Sequence, residues 1–195
     1  MGYGTTQMRI ATIQVLAGLL LVLALGCQRG KDQAVLIEPH EVEVDPQAVP
    51  ADPFASSSAA YTRLREVTDE ALASTWNGEL DTFAPWLEEQ TVAVERALAL
   101  LKALRVGPRD IYAVANGRIA MVYDGIASNL TRASEEAERA GHDADWKGEE
   151  DRVWEQAVAF WARCARGAST GGTHLDAWDL RCQAGLANSE AKLAP

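Results

Sequence analysis

Beyond about Ala55 the apolar residues of this chain recur at three- and four-residue steps, and no window there alternates convincingly as a strand would. A period near 3.6 puts such residues on one face of a helix, whereas a half-buried strand needs strict alternation. A first helix is expected from the Ser56-Ser57-Ser58 cap to Asn77-Gly78, with Tyr61, Leu64, Val67, Ala71 and Thr75 inward. A second spans about Asp81 to Arg105, carrying Phe83, Leu87, Val94, Leu98 and Leu101, with Pro85 in its first turn where a missing N–H costs little. Gly107-Pro108 ends it and opens a third, whose stripe runs Ile111, Val114, Arg118, Val122, Ile126, Leu130, Ala133 and Ala137. The fourth covers about Trp146 to Arg166, with Val153, Trp154, Ala157, Trp161 and Cys164 inward. The fifth follows Gly167–Thr173, with Thr173 and Asp176 placed as a capping box, and presents Leu175, Trp178, Cys182, Gly185 and Leu186. The expectation is an all-α domain over 58–195, an antiparallel helical bundle of four to five helices.

The chain has 195 residues, enough for one domain, and 18 basic against 28 acidic side chains give a net charge of −10. Phosphate binding needs clustered Lys and Arg, so nucleic acid is not an expected partner. Three cysteines and three histidines supply few metal ligands, and neither a Cys-x-x-Cys-His haem signature nor a His-Glu-x-x-His zinc signature is present.

Val15 to Gly26 is an uninterrupted run of 12 apolar and small residues, preceded by Arg9 and closed by Cys27. Twelve residues fall short of the roughly 20 that cross a bilayer as helix, and the run has the length of a secretory h-region. Translation from Met8 would give a tighter start, Met8-Arg9-Ile10. The closing residues Leu23-Ala24-Leu25-Gly26-Cys27 resemble the lipobox of bacterial lipoproteins, with Gly26 matching well and Ala24 standing where Leu is usual. The resemblance covers residues 1–27 alone. It implies that residues 1–26 are a signal peptide cut before Cys27, and that Cys27 is acylated and attaches the protein to a membrane. The several acyl chains of a lipoprotein make such anchoring stable where one would not. No Asp follows Cys27 directly, which in diderm bacteria resembles sorting to the outer membrane. Residues 27–57, with Pro39, Pro46, Pro50 and Pro53 among acidic and small residues, read as a flexible tether. Removing residues 1–27 leaves 17 basic and 28 acidic residues, hence −11.

Within the helical part, Gly117 and Gly125 mark a close helix contact, because glycine costs about 1 kcal/mol against Ala inside a helix. Trp154, Trp161 and Trp178 occupy core positions, whereas Trp86 and Trp146, beside charged residues near helix starts, are candidates for an exposed partner contact. Asp143-Ala-Asp145-Trp-Lys147-Gly148-Glu149 echoes a calcium loop, but its fifth and twelfth places hold Lys147 and Trp154, which donate no oxygen. His142 and His174 lack the Glu-x-x-His spacing of di-iron bundles. Gly167–Thr173 lacks the Lys and preceding strand of a phosphate loop. No nucleophile–base pair is suggested by spacing, so no catalytic residue, cofactor or metal is expected. Cys164 and Cys182, both on apolar faces of consecutive helices, are expected to form a disulfide after export. The functional expectation is a cell-envelope protein that binds or scaffolds a partner; the alternative is an extracytoplasmic small-molecule-binding or sensory bundle.

Overall fold

The structure, a computed structural model, describes residues 48–55, 57–142 and 146–194. The chain divides into two units, 1–41 and 42–195, and every described residue belongs to the second. Cys27, the signal peptide and the tether up to residue 47 lie outside the described residues, as do Asp143 and Asp145 of the calcium-like segment.

The domain is all-α: α1 (Ala59–Ala73), α2 (Leu80–Leu104), α3 (Arg109–Arg139), α4 (Lys147–Ala168) and α5 (Asp176–Leu193), with a single 3-10 turn at Thr173–Leu175. No strand occurs among the described residues. Each helix packs antiparallel against the next, and the long α3 also meets α1 and α5. All eight residues of the α3 stripe read from the sequence, Ile111 to Ala137, are buried.

Helix ends follow local chemistry. Ser58 caps α1, its Oγ accepting the Tyr61 N–H at 3.2 Å. This helix stops at Ala73, short of the expected Asn77, because Trp76 turns inward beneath the chain. The Trp76 indole N–H donates to the Glu79 carbonyl at 2.9 Å, and Gly78 takes a φ of 96° that other residues rarely adopt. Since α2 begins at Leu80, Pro85 is its sixth residue, past the first turn, and leaves the Asp81 carbonyl without its helical donor. The exit of α3 is a Schellman turn: Gly141 has φ 75° and the His142 N–H reaches back to the Ala137 carbonyl at 2.9 Å. Thr173 forms no capping box with Asp176; it opens the 3-10 turn instead, and α5 starts without a side-chain cap.

Two apolar clusters share α3. One joins α1, the end of α2, α4 and α5 around Trp161 and Trp178; the other gathers Trp76, Phe83, Trp86 and Leu130 near the start of α2. Gly117 lets Cys164 and Trp178 approach α3, since an added Cβ would come within 2.7 Å and 2.9 Å of them. Gly125, expected to share that role, has nothing within 4 Å of such a Cβ. Cys164 and Cys182 are joined in a disulfide across α4 and α5, their Cα atoms 5.7 Å apart.

The last stretch of the expected tether belongs to the domain. The Ala51 carbonyl accepts the Trp178 indole N–H at 3.1 Å, and the Asp52 carboxylate accepts from the Tyr61 hydroxyl at 2.9 Å and Arg118 at 3.2 Å. The Phe54 ring meets Tyr61 and His174 edge-on, with centroids 6.2 and 5.8 Å away. The chain thus enters at the end formed by the starts of α1, α3 and α5, here called the proximal end.

Candidate functional site

The helices α2 and α4 flank α3 on either side and meet each other at most marginally, which leaves a surface groove of about 550 Å³ over α3. Its α2 wall is Leu87, Thr91, Val94 and Leu98, at steps of four, three and four, so a single stripe supplies it. Tyr123, Ile126 and Leu130 form the floor, and Val153 and Gln156 the α4 wall. The Tyr123 ring stacks on Phe160 with centroids 5.5 Å apart, and burial raises its hydroxyl pKa above the ordinary value, partly countered by Arg163. The rim is acidic: Glu95, Glu149 and Glu155, with Arg152 already held by Glu149 at 2.9 Å. A second groove of about 540 Å³ lies between α1 and α2, with Val67, Ala71 and Ala93 below and Glu70, Glu88 and Glu89 on its edge.

Trp86 and Trp146 do not form an exposed patch. Trp86 is only 8% exposed and donates its indole N–H to the Ser74 carbonyl at 3.0 Å, because the turn after α1 folds over it. Trp146 is half-buried. The two sandwich Phe83, at centroid distances of 5.8 and 5.3 Å, and close the cluster at the end of the bundle away from the tether.

Two buried polar constellations sit within the helices. Arg118, with its side chain 5% exposed, is held by Asp52 at 3.2 Å and Asp69 at 2.6 Å. Against burial, the Asp69 bond and the neighbouring Tyr61 raise the guanidinium pKa, while burial and the neighbouring Asp52 carboxylate push Tyr61 well above the tyrosine range. Further along α3, Asp124 accepts the Trp161 indole N–H and the Ser189 hydroxyl, each at 2.9 Å. Burial raises the Asp124 pKa, opposed by those two bonds and by the charge of Arg181, which lies over the Trp161 ring. These carboxylates are occupied by structural partners and face no groove.

His174 pairs with Asp110 at 3.3 Å, and His142 is exposed. Among the described residues no three His, Cys, Asp or Glu side chains gather as a metal site would need, and no helix is long and apolar enough to cross a membrane. Comparison with protein-family models, curated proteins and solved structures finds no match for the chain.

Proposed function

We propose that this chain is a bacterial lipoprotein, attached to the cell envelope, with the outer membrane as its destination, through acylated Cys27, whose helical domain seats a partner in the α2–α4 groove. The lipobox-like Leu23–Cys27 supports the anchor, and the groove, apolar below and acidic at the rim, supports the binding role. The occupant that fits is an amphipathic helix with Lys or Arg on its flanks. Its apolar anchors at i, i+4 and i+7 would lie along the α2 stripe, and its cations would face Glu95 and Glu155. A second copy of this acidic chain, or its own acidic tether, would meet like charge instead. The groove volume also falls in the range of small-molecule pockets, with Thr91, Tyr123 and Gln156 as polar groups, which supports ligand sensing as the second reading.

Both halves are testable. Cys27→Ala should block incorporation of labelled fatty acid and leave a larger precursor in membranes; a variant still labelled would end the lipoprotein reading. A photocrosslinker at the exposed Thr91 should capture a partner in intact envelopes, and the paired exposed changes Glu95→Lys and Glu155→Lys should cut that yield several-fold. An unchanged yield would remove the groove from the binding surface.

A further inference from the structure

The acidic total conceals an uneven distribution. At the end away from the tether stand Glu79, Asp81, Glu135, Glu136, Glu138 and Glu149. Of the cations there, Arg139, Lys147 and Arg152 are bound to Glu136, Asp151 and Glu149 at 2.8, 2.7 and 2.9 Å, and Lys192 stands in the last turn of α5. At the proximal end, Lys102 and Arg105 close α2, Arg109 opens α3 and Arg166 lies in the last turns of α4. All four are exposed, and none has an ion-pair partner among the described residues. The end of α4 is tied to the first turn of α3, since Gly167 packs directly on Ala113. Between Arg105 and Arg109 the turn carries Val106, 94% exposed. Asp52, Asp110, Asp176 and Asp179 are the carboxylates at this end; Tyr61 and Arg118 take Asp52, His174 takes Asp110 at 3.3 Å, and the other two lie on α5.

Cations at helix C-termini offset the helix dipole, which alone would account for Lys102, Arg105 and Arg166. It does not account for Arg109, which stands at the positive end of α3, or for a bare valine between two arginines. The entering chain docks at the same end, through Ala51 and Asp52. From this coincidence we infer that the proximal end is a headgroup-contact surface: Lys102, Arg105, Arg109 and Arg166 rest on the phosphates of anionic phospholipids, with Val106 dipping among them. The inference rests on the anchoring reading for its geometry, because the anchored chain joins the domain at this end. The acidic far end is repelled, so the domain stands upright with the α2–α4 groove clear of the membrane.

The test uses the full-length acylated chain on vesicles of phosphatidylcholine, alone or with phosphatidylglycerol, containing a headgroup quencher. A fluorophore on Val106→Cys should be quenched on the anionic vesicles, and one on Glu138→Cys should not. Each surface cation is worth roughly a fivefold change in affinity, so Lys102→Glu, Arg105→Glu and Arg109→Glu together should lower the Val106 quenching several-fold, as should high salt. Quenching equal on both vesicles, or greater at Glu138, overturns the contact. A chain that floats with both vesicles while Val106 stays unquenched overturns the contact and leaves the anchor standing. Retention on anionic vesicles alone supports the contact and removes the anchor, and retention on neither removes both.

Discussion

At the level of single residues, two charges in the middle of an apolar helix set the chemistry of the core. Arg118 and Asp124 are the sole charged side chains from Ile111 to Thr131, and both bond to other elements, Asp52 and Asp69 for one, Trp161 and Ser189 for the other. Because burial raises the Asp124 pKa above its unfolded value, the folded state keeps that proton to higher pH. Its contribution to stability is then complete below the ordinary carboxylate range, near pH 4, and is lost as pH rises through the folded value. Asp124→Asn keeps an acceptor for Trp161 and a donor for Ser189 but does not titrate. Urea unfolding at a series of pH values should show the variant gaining on the native chain as pH increases. A difference that stays constant with pH would show that Asp124 is not the titrating group.

Among the elements, the two glycines of α3 make opposite predictions. Gly117→Ala drives a methyl into the Cys164 sulfur and the Trp178 ring and should cost about 1–3 kcal/mol. Gly125→Ala meets open space in a helix interior and should stabilise by about 0.5–1 kcal/mol. Thermal unfolding of both variants decides it, and equal shifts would contradict the packing. The glycine pair shows why the helices were legible in the sequence and their contacts were not. Period alone located all five helices and the whole α3 stripe, since that pattern is the cause of their burial. It could not say which side of α3 each glycine faces a neighbour on. Nor could it reveal that the turn Ser74–Gly78 folds Trp86 away from solvent, since that depends on a long-range bond to the Ser74 carbonyl. The groove escaped for a similar reason: Leu87, Val94 and Leu98 look like core in sequence, and they border open space only because α4 stands off from α2. Arg118 was read as one position of an apolar face; its charge there was the available signal of a buried partner, and that partner, Asp52, lay in a segment read as tether.

For the molecule as a whole, the disulfide pins the last two helices together in the proximal cluster, beside α3. Closing a loop of 18 residues stabilises by about 3 kcal/mol, so reduction should lower the unfolding free energy by that order. With Cys27 replaced, thiol titration of the unreduced, unfolded chain should find no reactive sulfur, and two would refute the bridge. The docking of Ala51 on Trp178 has a consequence in time. The bonded groups lie 127 residues apart, so the acceptor is made long before its donor. A chain emerging from its N-terminus can assemble α1 to α4 in order, but this clasp must wait until α5 has followed. Until then Asp52 is held by α1 and α3 while the Ala51 carbonyl lacks its indole donor, and closing the clasp marks the docking of α5.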